Sequence, residues 1–188
     1  MASLLQSTLN TRFLPGSGDR FIRSDAPLNL TEGEIRWLEE RNIRTLVDLR
    51  SDEEVMQKPC PLKERKGFIY HHLPVTGGGD TPKSREHLHQ VYAGMVDGQM
   101  ETIIRTILQA DTGVMYFCTA GKDRTGVVSA LLMKTLGCNE MEIVADYMAS
   151  KENLLDMLTA YAAGHPEVDM DIIVPREENI EKVLRLFV

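Results

Sequence analysis

The sequence predicts an α/β fold with a twisted, mostly parallel central sheet of about four to five strands and helices on its faces. Two observations favour this class. Short apolar runs alternate with segments of helical periodicity, and one apolar run leads through a short loop straight into a helix. Such folds place ligands at the carboxyl ends of their strands. We therefore expect residues 114–118 to form a central strand and the loop after it to form the site.

Strands and helices follow in order along the chain. Residues 1–19 are polar and are expected to form a mobile N-terminal arm, and residues 20–188 a single domain. Alternating or apolar runs predict strands at 20–24, 43–49, 67–75 and 114–118. Capping patterns and apolar stripes predict helices after Thr31, at 52–54, 85–96 and 99–110, from the loop to 137, at 139–163 with a possible break near Ser150, and at 175–186.

Composition bounds the function. A chain of 188 residues suits one domain, and its net charge of −7 disfavours nucleic acid and anionic membrane as partners. No apolar run long enough to span a membrane and no signal-peptide pattern is present, and three cysteines do not make a disulfide framework. We expect a cytoplasmic protein, while export by a leaderless route or removal of a signal stays open.

A nucleophile, an anion cradle and a fixed cation meet in one short stretch. Cys118 ends the apolar run, and Arg124 follows six positions later where a helix begins. Helix N-termini and tight loops direct N–H groups at anions, and arginine matches phosphate oxygens with a fork of donors. Gly121 allows the loop to bend. The positive field favours the thiolate of Cys118, the form that attacks. Thr125 is expected to hydrogen-bond that sulfur.

The stretch from Cys118 to Gly126, Cys-Thr-Ala-Gly-Lys-Asp-Arg-Thr-Gly, resembles the Cys-x5-Arg signature loop of the protein tyrosine phosphatase superfamily. It is most similar to atypical bacterial and fungal members, some of which also dephosphorylate phosphoinositides. Residues 21–25 and 46–51 extend the likeness at the expected spacing. The chain departs from the family pattern at Phe117, where the superfamily usually has histidine.

The resemblance implies hydrolysis of phosphomonoesters through a phosphocysteine, on phosphotyrosine proteins and with possible dual-specificity or phosphoinositide activity. The residues expected to bind the phosphate are Thr119, Ala120, Gly121, Lys122 and Thr125. Lys122 would add a second cation at the rim, which makes phosphoinositides or inositol phosphates plausible substrates. No metal and no cofactor is expected, because the loop and Arg124 stabilise the charge. The alternative is a phosphate-binding module that has lost turnover, which Phe117 encourages.

The general acid is left open between two aspartates. Asp80 lies in a glycine-rich loop, residues 76–82, where related phosphatases carry their acid on a movable lid. Asp123 lies within the signature beside Arg124, as in similar loops of the atypical enzymes. We favour Asp123 and keep Asp80. Two further charged residues, Asp48 and Arg50, end a predicted strand and are expected to brace neighbouring loops rather than to act directly.

Overall fold

The central sheet has five strands in a computed structural model that describes residues 3–78 and 82–187. The strands are β1 (Arg12–Phe13), β2 (Phe21–Asp25), β3 (Ile43–Asp48), β4 (Ile69–His72) and β5 (Gly113–Cys118). Their order across the sheet is β1-β2-β5-β3-β4, with β1 antiparallel to β2 and the other pairs parallel. The predicted α/β class and its mostly parallel sheet are therefore confirmed.

Helices flank this sheet. Those within the described residues are α1 (Glu32–Glu40), α2 (Asp52–Gln57), α3 (Arg85–Gly94), α4 (Gly98–Gln109), α5 (Asp123–Thr135), α6 (Glu140–Gly164), α7 (Met170–Ile173) and α8 (Glu177–Leu184). Short 3-10 turns follow at Pro61–Glu64 and Arg185–Phe187. Thr31, Ser51 and Asn139 each begin their helix with a complete capping box, so local sequence sets these three starts.

Helix α6 is continuous, so the predicted break near Ser150 is wrong. Serine weakens a helix when its hydroxyl competes for nearby backbone groups. Here the Ser150 hydroxyl is buried and accepts hydrogen bonds from Arg12 at 3.0 Å and Asn10 at 3.2 Å. These partners are far away in the sequence, so no local pattern could have predicted that the helix continues.

Strand β1 lies inside the segment that the sequence analysis assigned to a mobile N-terminal arm. Arg12 and Phe13 pair with β2, and the Asn10 backbone N–H donates to the Asp25 carboxylate at 2.8 Å. Asn10 and Arg12 are both buried. This part of the arm is therefore an edge of the sheet and contacts the carboxyl end of β2.

The two faces of β5 enter different hydrophobic clusters, because side chains alternate along a strand. Val114, Tyr116 and Cys118 belong to the cluster formed with α3, α4, α5, α6 and α8. Met115 and Phe117 belong to the cluster formed with α1. All the residues of β5 are buried, as expected for the centre of a parallel sheet.

A buried ion cluster joins β1, β2 and α6. Asp146 on α6 accepts from Arg12 Nε at 2.8 Å and from Arg23 Nη1, and Arg12 Nη2 also donates to the Asp146 carbonyl at 2.7 Å. Burial alone would raise the pKa of Asp146, but the two guanidinium groups lower it. Burial and the charge of Arg23 lower the pKa of Arg12 to about 10. The cluster is stable only while all three charges are present.

None of the helices in the described ranges, 3–78 and 82–187, combines the length and the apolar character that crossing a membrane requires.

The Asp146→Asn substitution should cost about 3 to 5 kcal/mol of unfolding free energy at pH 7, because it leaves two buried guanidinium groups without a counter-charge. Urea unfolding measures the difference. The matched control is Asp156→Asn on the exposed face of the same helix, which should change stability by less than about 0.5 kcal/mol. Equal stabilities for the two variants would contradict a structural role of the cluster.

Candidate active site

The loop that follows Cys118 lies at the carboxyl edge of the parallel strands. Cys118 pairs with Asp25 of β2, and Phe117 pairs with Asp48 of β3, so three strands end together at this point. Residues 119–122 then bend between β5 and the first turn of α5. The segment from 118 to 124 is therefore a compact loop and not an extended chain.

Three successive carbonyl groups of this loop, those of residues 119–121, are anchored from outside. Their donors are the Ala26 backbone N–H at 3.2 Å, the Asn10 side-chain amide at 3.3 and 2.9 Å, and the Arg23 guanidinium at 2.9 Å. In a trans peptide the N–H points opposite to the carbonyl before it. The N–H groups of residues 120–122 are therefore turned away from these anchors, as a bowl of amide donors requires.

Gly121 is required by the tightness of the loop. Its φ is +64°, and a Cβ there would lie 2.5 Å from backbone atoms of Ser24 and Asp25. Backbone atoms cannot move aside as a flexible side chain can. Any larger residue would push the loop off the end of β2.

Cys118 and Phe117 point to opposite faces of the sheet. The Cys118 thiol is free and buried on the α5 side, and it interacts electrostatically with Arg124. The Phe117 ring packs in the other cluster, with the Arg50 guanidinium 5.7 Å from its centroid. The departure from the family pattern at Phe117 therefore changes the packing of the opposite face rather than the immediate surroundings of the sulfur.

Glu54 is a functional candidate that the sequence reasoning missed, because residues 52–54 were interpreted as a solvated helix start. Its carboxylate accepts from Arg124 Nη1 at 2.5 Å and Nη2 at 2.8 Å, and also from the Thr119 hydroxyl. Burial alone would raise the pKa of Glu54, but these hydrogen bonds lower it to about 2. The same carboxylate completes the capping box with Ser51. The signal in the sequence that could have found Glu54 was the Ser-x-x-Glu pattern directly after the strand predicted at 43–49.

The two hydrogen bonds from Arg124 to Glu54 fix the orientation of the guanidinium group. Glu54 occupies the Nη1–Nη2 edge, and a guanidinium has five N–H donors, so the Nε–Nη edge stays suited to a second acceptor. Burial alone would lower the pKa of Arg124, but the Glu54 hydrogen bonds and the nearby thiol raise it. Arg124 is thus a permanently charged group held in one orientation.

Lys122 differs from the expectation of a cation at the rim. The residue is only 7% exposed, and its ammonium group donates to the Ile173 carbonyl at the end of α7. It also lies 3.4 Å from the Asp123 carboxylate. Sequence reasoning could not find this contact because α7 is 51 residues away along the chain.

Asp123 and Gly78 of the glycine-rich loop both lie next to Arg124. Asp123 begins α5 and accepts a hydrogen bond from the Tyr92 hydroxyl. Gly78 packs on the stem of Arg124, because a Cβ built there would lie 3.1 Å from Arg124 Cγ. The first part of the loop predicted as a lid, up to Gly78, thus reaches the site, while Asp80 itself lies outside the described residues.

Other predicted residues have defined surroundings. The Thr125 hydroxyl is buried and has no hydrogen-bond partner within the described residues, so the expected bond to Cys118 is not formed here. Ala120 packs against a cluster of Leu154, Leu158, Val168 and Ile173. Asp48 and Arg50 form a buried bidentate pair at 2.6 and 2.9 Å, which agrees with the bracing interpretation. Across residues 3–78 and 82–187 no group of three histidine, cysteine or acidic side chains is placed to hold a metal.

The loss of the Glu54 charge should destabilise the protein in a pH-dependent way. The pKa is depressed in the folded state, so the stabilisation is complete above the ordinary value of 4.5 and disappears as pH falls towards 2. We expect Glu54→Gln to lower the unfolding free energy by about 1 to 3 kcal/mol at pH 7, and the deficit to shrink below pH 4.5. Urea unfolding from pH 7 to pH 3 measures it. The exposed neighbour provides the control Glu53→Gln, and parallel pH curves for the two variants would be the contradictory result.

Comparisons with known proteins point to one family. The sequence profile of the tyrosine phosphatase family matches residues 17–186. A tyrosine-protein phosphatase of Nostoc commune is 29% identical over 146 residues, which cover 72% of this chain and 50% of that protein. The triple specificity protein phosphatase PtpB of Mycobacterium tuberculosis is 45% identical over 49 residues, which cover 26% of this chain and 18% of that protein.

A solved structure of a putative phosphatase from Neisseria meningitidis is 22% identical, with a TM-score of 0.45 over 73% of this chain and 87% of that chain. The chain spans about half the length of the Nostoc commune relative. The family assignment rests on the profile, which extends from the segment before β2 to the 3-10 turn after α8. The chain belongs to the tyrosine phosphatase family.

Proposed function

We propose that the protein hydrolyses phosphomonoesters through a phosphocysteine intermediate, with phosphotyrosine proteins as the first class of substrate. The observation that carries the proposal is the anchored loop. External donors hold three of its carbonyls outward, so the N–H groups of residues 120–122 point the other way. A free thiol and a fixed guanidinium lie in the same segment. Family membership supports the same chemistry. Residues 20–188 would form one catalytic domain together with the part of the N-terminal segment that pairs with β2 and anchors the loop, and the free cysteines fit a reducing cytoplasm.

The reaction has two steps. The Cys118 thiolate attacks phosphorus and forms an S–P bond while the bond from phosphorus to the leaving oxygen breaks, and a carboxylic acid gives that oxygen a proton. Water then attacks phosphorus, the S–P bond breaks, and the carboxylate accepts the water proton. Inorganic phosphate leaves and the thiolate is regenerated. In both steps the loop N–H groups and Arg124 stabilise charge on the three remaining oxygens.

We assign the proton transfer to Asp123 and keep Asp80 as the second candidate. The Asp123 carboxylate begins α5 next to Arg124 and is 31% exposed, so a bound ester can reach it. Its place inside the signature supports it. The contact of Gly78 with Arg124 supports Asp80, because it brings the start of the loop to the site.

The proposed substrate class follows from the burial of Lys122, the cation that was expected at the rim of the site. A substrate with several phosphates needs more than one accessible positive group, and Lys122 is buried against Ile173. This favours phosphotyrosine over phosphoinositides and inositol phosphates. The name of the Mycobacterium tuberculosis relative, a triple specificity phosphatase, keeps wider specificity as a proposal for this chain.

Turnover should depend on one cysteine. The wild-type chain should hydrolyse p-nitrophenyl phosphate and a phosphotyrosine peptide, and Cys118→Ser should lower kcat by about 10⁴-fold or more because the nucleophile is lost. Cys138→Ser, at a free and partly exposed cysteine outside the loop, is the control that should keep activity. A panel with phosphoserine peptides and phosphoinositide vesicles ranks the substrates. Binding without turnover in the wild type would support the phosphate-binding module instead, and faster turnover of phosphoinositides would reverse the proposed order.

The identity of the acid can be read from leaving groups. Phenol leaves poorly without a proton, whereas nitrophenol leaves well, so Asp123→Ala should lower kcat for phenyl phosphate by about 10²- to 10³-fold and for p-nitrophenyl phosphate far less. Asp80→Ala is the parallel variant. The same difference in Asp80→Ala alone would move the role to that residue, and its absence in both variants would remove both assignments.

A further inference from the structure

Two buried tyrosine hydroxyls lie behind Asp123 and have no place in the mechanism so far. Tyr92 on α3 and Tyr147 on α6 are each about 1% exposed, and their rings meet edge to face with centroids 6.5 Å apart. A buried hydroxyl needs a partner, and the Tyr92 hydroxyl donates to Oδ1 of Asp123. The pair thus connects the candidate acid to the interior of the helical layer.

The direction of each hydrogen bond follows from counting protons. Tyr92 has one hydroxyl proton, which it gives to Asp123, so in its 2.8 Å contact with Tyr147 it must accept. Tyr147 has then used its own proton, and it accepts from the Asn179 side-chain amide at 3.3 Å. Three successive hydrogen bonds therefore all point towards the Asp123 carboxylate.

The same proton count extends the line of hydrogen bonds to Lys182 at the protein surface. The Lys182 ammonium can only donate, so Nδ1 of His89 accepts from it at 2.6 Å. The proton of the neutral imidazole then lies on Nε2, which donates to Oδ1 of Asn179 at 3.2 Å. An unbroken line of donors thus extends from Lys182 on α8, through α3 and α6, to the first turn of α5.

This line strengthens the last bond in it. Hydrogen bonds that point the same way polarise one another, so the donors behind Tyr92 strengthen the bond from its hydroxyl to the Asp123 carboxylate. Burial and the Asp123 charge raise the pKa of both tyrosines, so the two hydroxyls keep their protons and remain donors. Helix α5 also packs directly on the Tyr147 ring, because a Cβ at Gly126 would lie 3.0 Å from it. The geometry is therefore rigid as well as directed.

We propose that Tyr92 is a positioning residue that aims the Asp123 carboxylate by donating a hydrogen bond to its Oδ1, with Tyr147 and Asn179 supplying the donors behind it. The inference rests on the proposed function, in which Asp123 carries the proton. It adds that helix α8 contributes to catalysis through the line of donors. The charged and titratable groups around the carboxylate are Lys122, Arg124, Tyr92 and Tyr147.

The test removes one hydroxyl. With phenyl phosphate as substrate, Tyr92→Phe should lower kcat about ten-fold with little change in KM, because the carboxylate loses the donor that aims it. Tyr147→Phe should lower kcat in the same way but by less. Tyr116→Phe is the matched control, because that buried hydroxyl bonds Ser129 at 2.8 Å and is outside the line. Urea unfolding checks that all three variants fold.

A double-mutant cycle shows whether Tyr92 acts through Asp123. In the Asp123→Ala background, Tyr92→Phe should have no further effect on kcat. An unchanged kcat in Tyr92→Phe, or the same ten-fold loss in both backgrounds, overturns the proposal.

A readout without turnover separates this inference from the proposed function. Carbon-13 NMR of the aspartate carboxyl groups at pH 7, with the Asp123 signal identified by its loss in Asp123→Asn, should show a changed Asp123 chemical shift in Tyr92→Phe and an unchanged one in Tyr116→Phe. An inactive wild type with this change would contradict only the proposed enzyme function. An unchanged Asp123 chemical shift in Tyr92→Phe would overturn the hydrogen-bond line even if the wild type were active.

Discussion

The site depends on one constraint, which is that three neighbouring loop carbonyls must be held facing outward. A loop of free peptides would turn some carbonyls inward and repel an anion. Asn10 and Arg23 prevent this by donating to the carbonyls of residues 120 and 121 from the far side. Arg23 can serve there because Asp146 compensates its buried charge. The N-terminal segment, β2 and α6 are thus joined on the side of the loop to which its carbonyls point. The side to which its N–H groups point is the one suited to a ligand.

A second constraint is the balance of charge on Arg124. The body of the protein is acidic, with a net charge of −7, so an anion is attracted only where positive groups are concentrated. Glu54 places a negative charge beside Arg124, but it takes a single edge of the guanidinium and fixes the direction of the other. The pairing with Glu54 orients the Arg124 guanidinium but compensates part of its positive charge. Preorganised donors of this kind avoid reorganisation when charge develops in a reaction.

Local sequence was sufficient for most elements of the fold. Apolar strands, amphipathic helices and the capping boxes at Thr31, Ser51 and Asn139 have their causes within a few residues, and they appear where the pattern put them. Strand β1 and the continuity of α6 were not predicted. Both depend on hydrogen bonds between the first 25 residues and residues 146–150. Partners so distant in the chain leave no periodic signal.

The sequence by itself determined the chemistry available at the site: a cysteine, an arginine six residues later, a glycine at the bend and a helix start behind them. Their order forces a strand, loop and helix to converge, since each has a local conformational cause. Only the tertiary structure decided the roles of neighbours. In the folded chain Lys122 is buried against α7, and Glu54 pairs with Arg124. Phe117 points to the other face of the sheet, and Asp123 accepts a hydrogen bond from Tyr92. The physical reason is that burial and charge pairing depend on distance in space, which a linear pattern does not contain.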